Sequence, residues 1–242
     1  MTLIVTAHVP EGIVMAADSR LTITNTRDVE GRTVVDVAAS QTDTACKLFL
    51  AANRVGISTF GAATLGLTPI AGFIEQFLES QVLPTTPPEA VPQLLVAHFG
   101  HLPKVPDTGF HVAGYAQLDG KLVQHVWRVS VNSGNISLIV PGQQSCGILW
   151  NGEIDVMSRL FGSGMQHAAP NGTVSPLPSF NVPVDMFTLQ DALDFAVYAI
   201  RTTADTMKFQ MRPKTVGGPI DVLILKPNEA LWLSRKSLRV GP

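Results

Sequence analysis

Two cysteines in 242 residues, Cys46 and Cys146, are too few for a disulfide framework and too far apart for a CxxC pair. They read as buried free thiols in a reducing compartment. Charge is also scarce, with 15% of residues charged and a formal net charge of −2. No basic cluster rises above the scattered Arg and Lys of the C-terminus, which argues against nucleic acid and against an anionic membrane as partners. The sequence shows neither a charged-then-apolar leader nor an apolar run of transmembrane length, so the cytoplasm is the expected compartment. His8, His98, His101, His111, His125 and His167 show no HExxH or similar ligand spacing, and no metal is expected. Walker loops and GxGxxG are absent, and no cofactor is expected. Without Gly-x-Ser-x-Gly, a serine α/β-hydrolase is disfavoured. Asn171-Gly172-Thr173 matches a glycosylation sequon, but with no leader it reads as a turn.

What the chain does have is apolar content, at 45% hydrophobic residues. That share with so little charge predicts that part of the outer surface is buried against partner subunits. The length suits one large domain with a sizeable core. Alternation and turn residues predict strands over 2–8 and 12–17, extended by 21–24. Residues 26–44 are polar and read as a hairpin or protruding loop around 33–37. Strands over 47–51 and 54–60 follow, joined at Ala52-Asn53. Gly61-Ala62-Ala63 is expected to open a helix with Leu67, Ile70, Ala71, Ile74, Phe77 and Leu78 inward, and Glu89 to Phe99 is a second helix. Strands are expected over 110–117, 122–129, 136–140 and 145–150, then a helix over 153–161. Residues 162–183 are rich in Gly, Pro, Ser and Asn and read as a long surface loop. Thr188-Leu189-Gln190-Asp191 forms a capping box ahead of the strongest helix, and strands over 220–225 and 230–234 close the chain. Paired helices between antiparallel runs argue against βαβ repeats and for two sheets stacked between helical layers. No boundary divides residues 1–242.

Chemistry points to the N-terminus. If Met1 is removed, Thr2 carries a nucleophilic hydroxyl beside a free α-amine whose reference pKa, about 8, lets it act as a general base near neutrality. Asp18 ends the second strand, Lys47 begins a later one, and Gly61 stands before the first expected helix. With these residues in this order, the N-terminal third resembles the proteasome β-type and related bacterial threonine peptidases of the N-terminal-nucleophile hydrolase superfamily. The segment between Asp18 and Lys47 is longer than usual, and the polar 26–44 stretch takes up the excess.

The resemblance implies an α+β fold, a four-layer αββα sandwich of the N-terminal-nucleophile type. It implies attack by Thr2 on peptide carbonyls, with Asp18 and Lys47 tuning the proton transfer. Gly61 N–H would receive the oxyanion at a helix N-terminus. Asn151, in Trp150-Asn151-Gly152-Glu153, stands where the family has a serine and would hydrogen-bond the Thr2 amine. Thr22 would pair with the substrate backbone as an added strand. Leu21, Ala45, Phe49, Thr59 and Ala63 would line a neutral, apolar pocket preferring uncharged side chains before the cut. The partners implied are a homo-oligomeric ring, often stacked, unfolded polypeptide or peptide as substrate, and an ATP-dependent unfoldase. The family's Arg-Asp-x-x-Ser-Gly-Gly segment is read here as Arg212-Pro213-Lys214-Thr215-Val216-Gly217-Gly218. Pro213 and Val216 thus replace an Asp and a Ser, leaving Thr215 to substitute if the loop shifts by one. Two alternatives stay open: a ring-forming scaffold that does not cleave, and an amidase acting on a small molecule.

Overall fold

Near-continuous apolar runs make the first two strands. β1 (Leu3–Val9) and β2 (Gly12–Ala17) are buried along their whole length, so each residue of these runs has a covered face to fill. The computed structural model describes residues 2–29, 32–66, 68–141, 146–162, 166–178 and 180–237. The chain continues through β3 (Leu21–Val29), β4 (Arg32–Thr42), β5 (Leu48–Leu50), β6 (Gly56–Gly61), β7 (Thr64–Leu65) and β8 (Thr68–Pro69). Helices α1 (Ile70–Gln81) and α2 (Val91–Gly100) follow, then β9 (Thr108–Leu118), β10 (Lys121–Ser130), β11 (Asn135–Pro141) and β12 (Gly147–Gly152). The remainder is α3 (Asp155–Phe161), β13 (Gln166–Ala168), β14 (Val174–Pro176), α4 (Leu189–Lys208), β15 (Asp221–Lys226) and β16 (Glu229–Ser234). The result is an α+β fold.

Two five-stranded antiparallel sheets carry it. One runs β12-β1-β2-β15-β16 and the other β11-β10-β9-β6-β5. Alternation along β1 sends Leu3, Val5 and Ala7 to one core and Ile4 to another. The first core is closed by Phe195, Ala196, Ala199 and Ile200 of α4 with Met157 of α3. Ile4, Ile13 and Met15 meet Leu48, Ala113 and Val126 of the second sheet. Ile57, Phe110 and Val112 of that sheet pack under Ile74, Phe77, Leu95 and Phe99 of α1 and α2. Each such aliphatic or aromatic side chain contributes about 1.5–3 kcal/mol by leaving water.

Local signals act as expected at several points. The capping box forms, Thr188 Oγ1 accepting from Asp191 N–H and Asp191 Oδ2 from Thr188 N–H. At the β9–β10 turn Asp119 and Gly120 both adopt positive φ, at 50° and 76°, the pattern of a tight hairpin turn. Asn171 Oδ1 accepts from Thr173 N–H within the turn that joins β13 to β14.

Four expectations need correction. Leu21–Thr24 does not extend the first sheet: β3 pairs with β4 in a hairpin of its own. The helix does not open at Gly61-Ala62-Ala63 but at Ile70, after the short β7–β8 pair. Gly61 holds φ at 96°, outside the helical region, and Pro69 disfavours helical geometry at Thr68 before it; Leu67 lies outside the described residues. The 162–183 stretch contains the β13–β14 hairpin. Cys46 and Cys146 are half-buried, not buried. Among the described residues no helix is long and apolar enough to cross a membrane.

Candidate active site

Asp18 is the organising group. It follows β2 directly, and its fully buried carboxylate accepts four hydrogen bonds. Oδ1 takes Leu3 N–H at 3.0 Å and Lys47 Nζ at 2.8 Å. Oδ2 takes Arg20 N–H and Gly217 N–H, both at 3.1 Å. One side chain thereby ties the start of β1, the entry to β3, the 217 loop and Lys47 together. A carboxylate so fully satisfied fixes the orientation of its cation.

Lys47 precedes β5, and its Nζ also donates to the Arg20 carbonyl at 2.5 Å. Burial pushes the ammonium below its ordinary value, with the charge and hydrogen bond of Asp18 opposing that and Lys236 adding to it. The group is a cation held closer to neutrality than a surface lysine, with its geometry fixed by two acceptors.

Thr2, Lys47 and Gly61 share the wall of one cavity of about 310 Å³. Gly61 closes β6, and a Cβ there would lie 2.5 Å from the Asp107 carbonyl oxygen, so space and dihedral both require glycine. The direction of its N–H follows from the bonds around it. Phe60 C=O accepts from Thr108 Oγ1 at 2.8 Å, on the β9 side. The intervening peptide is trans, so Gly61 N–H points the opposite way. Thr59 N–H, two residues earlier, likewise leaves β9 for the Lys47 carbonyl, at 2.9 Å. The donor aimed off the sheet is thus a strand-end N–H, not the helix terminus expected from the sequence.

Of the residues expected to line a substrate pocket, Leu21, Ala45, Thr59 and Ala63 do line this cavity. Phe49 does not: it packs in the core under α1 and α2. Thr22 is outside the wall as well, and its buried hydroxyl has no hydrogen-bond partner among the described residues. The cavity also takes in Thr42, Thr44, Cys46, Phe60, Ile70, Ala71 and Glu75, which sequence reasoning missed. The later start of α1 explains part of this, because it brings Ile70, Ala71 and Glu75 to the cavity mouth.

Asn151 has a partner that the sequence did not suggest. Its Oδ1 is 2.8 Å from His111 Nε2, and His111 Nδ1 shares a 2.9 Å hydrogen bond with Thr6 Oγ1. It lines an adjacent cavity of about 450 Å³ that meets the first at Phe60 and Gly61. His111 is fully buried, and burial pushes its imidazole down to about 4 against the opposing Asn151 bond. It is a neutral bridge between the two sheets.

The residue that follows β12 brings one further group to Thr2. Glu153 N–H donates to the Thr2 carbonyl at 2.7 Å, and the Glu153 carboxylate accepts from Thr215 Oγ1 at 3.0 Å. Gly152 makes that approach possible, since a Cβ there would stand 1.7 Å from the Thr2 carbonyl oxygen. Arg212 forks onto Asp155 at 2.9 and 3.1 Å, and Val216 is buried in the core under α4. No spacing in the sequence marks Glu153, because its contact with Thr2 comes from the β1–β12 register.

No protein-family model matches the chain, and no curated protein does. Among solved structures it is similar to Anbu from Hyphomicrobium sp. strain MC1. The Gly-1 mutant of that protein is 15% identical at a TM-score of 0.57, covering 97% of this chain and 88% of that one. A second Anbu structure from the same strain is 13% identical at a TM-score of 0.56, with the same coverage. At such identity the likeness is one of fold. The assignment to the proteasome β-type and related threonine peptidases is thereby corrected: four residues in register do not amount to a family match, and the structural likeness found is to Anbu.

Proposed function

We propose that the chain is a hydrolase of peptide bonds in which Thr2, unmasked by removal of Met1, is the nucleophile. The observation that carries this is the buried Lys47 ammonium, shared between Asp18 and the Arg20 carbonyl, in the wall of the cavity that Thr2 and Gly61 also line. Thr2 Oγ attacks the carbonyl carbon, and its proton passes to the α-amine or to Lys47. The carbonyl oxygen gains charge facing Gly61 N–H. The amine leaving group departs with a proton, and water then releases the acyl group from Thr2.

In this reading residues 1–242 form one domain, with α3 and α4, two sheets, and α1 and α2 as the four layers of an N-terminal-nucleophile hydrolase. β3 pairs only with β4 among the described residues, which leaves an edge on which an extended peptide can add at Thr22. Exposed Leu160, Tyr198, Phe209 and Met211 about α3 and α4 favour self-association, a closed and stacked homo-oligomeric ring. Such a ring takes unfolded polypeptide, fed by an ATP-dependent unfoldase.

A non-cleaving scaffold is the second reading. It is favoured by Val216, whose apolar side chain is core, and by Asn151, whose carbonyl oxygen is engaged by His111.

Intact mass before and after a threonine-directed peptide epoxyketone separates the two, because this reagent bonds a hydroxyl and an adjacent free amine together. A chain beginning at Thr2 that gains one inhibitor, and gains none as Thr2→Ala, is the expected result. A chain that keeps Met1 and gains no mass selects the scaffold.

A further inference from the structure

We propose that the Thr2 cavity takes a basic side chain, lysine or arginine, with Glu75 as its counter-charge. This rests on the peptidase reading and names its substrate class. The sequence suggests a neutral, apolar pocket, but the wall contains one carboxylate, Glu75 of α1. It stands one turn after Ala71, on the same face of the helix, and both line the cavity. Among the described residues no ion pair or hydrogen bond engages Glu75, and α1 contains a second carboxylate, Glu79, and no cation. The only cation in the wall is Lys47, whose ammonium is committed to Asp18 and the Arg20 carbonyl. The field left at the cavity mouth is therefore negative.

The rest of the wall suits the stem of a basic side chain. Leu21, Ala45, Ala63 and Ile70 offer apolar surface to its methylenes, leaving the charged end to reach the exposed Glu75. An acidic side chain in the same place would face a like charge with no compensating cation. Since Glu75 is open to water, the pair is worth at most about fivefold in selectivity.

The test uses three fluorogenic tetrapeptides that differ only in the residue before the reporter: Arg, Met or Glu. Wild-type protein should show kcat/KM for Arg about two- to fivefold above Met, with Glu lowest. In Glu75→Gln the Arg-to-Met ratio should fall toward one, and in Glu75→Lys the Glu peptide should overtake the Arg peptide. Fluorescence polarisation of dye-labelled peptides ending in Arg or Met, on Thr2→Ala protein with and without Glu75→Gln, reports the pocket apart from turnover. Peptides cut with Arg no better than Met, or a ratio that Glu75→Gln leaves in place, overturn the basic preference while the hydrolase stands. If no peptide is cut but the Arg peptide binds Thr2→Ala more tightly, and only with Glu75 present, the cavity assignment stands and the hydrolase reading falls. Neither cutting nor selective binding overturns both.

Discussion

Acidification should destabilise this protein through His111. The imidazole is fully buried between the sheets, held by Thr6 and Asn151, and protonates only at about 4 rather than 6.5. The unfolded chain therefore binds a proton between those two pH values that the folded chain does not. The sign is fixed by linkage: full stability is present above the unfolded value and is lost as pH falls toward the folded one. At about 1.4 kcal/mol for each pH unit between the two values, the loss amounts to roughly 3 kcal/mol by pH 4. The perturbation that isolates it is His111→Gln, which keeps a donor and an acceptor but cannot take up a proton in this range. Urea unfolding of both proteins at intervals from pH 7 to pH 4, compared at equal m, cancels the remaining histidines and carboxylates. The wild-type midpoint should fall faster, with the two stabilities converging by roughly 3 kcal/mol across the window. Parallel curves would refute the reasoning, since they would mean that His111 titrates alike in both states.

Two further variants concern the site. Asp18→Asn removes the charge that holds the Lys47 proton on, so the rising limb of kcat/KM against pH should move to lower pH; a limb that stays or moves up contradicts Lys47 as the acceptor. The same variant leaves a buried ammonium without its carboxylate and should cost about 3–5 kcal/mol in urea unfolding near neutral pH. That penalty should shrink as pH rises through the lowered Lys47 value toward its unfolded one. Gly61→Ala places a methyl 2.5 Å from the Asp107 carbonyl oxygen at a φ of 96°, and should lose about 1–3 kcal/mol in thermal unfolding. It should also lose roughly 100-fold in kcat as the donor N–H shifts; an unaltered rate in folded protein would remove Gly61 from the oxyanion site.

Signals confined to a few neighbouring residues were readable from the sequence. LIVTAHV is apolar except at Thr6 and His8, and GIVMAA is apolar throughout, because both faces of β1 and β2 are covered. Thr188 and Asp191 cap α4 through atoms three residues apart, and Asp119-Gly120 turns through its own dihedrals. Thr2, Lys47 and Gly61, singled out together with Asp18 by their order along the chain, line one cavity, and Asp18 holds Lys47. The onset of α1 could not be read, because the apolar rhythm from Leu67 onward fits a helix in either place. Gly61 instead ends a strand paired with β9, far along the chain.

Tertiary structure decided the remainder. Asn151 lies beside His111 and Glu153 beside Thr2 because two sheets stack and β12 aligns on β1 in one register, a contact that no local spacing encodes. The sequence does not single out Glu75, and the packing of α1 against the second sheet brings it to the cavity mouth. Residue types and their order determine what chemistry this chain can hold. Which of those groups meet is set by long-range packing, whose free energy depends on surfaces that form only when distant segments come together.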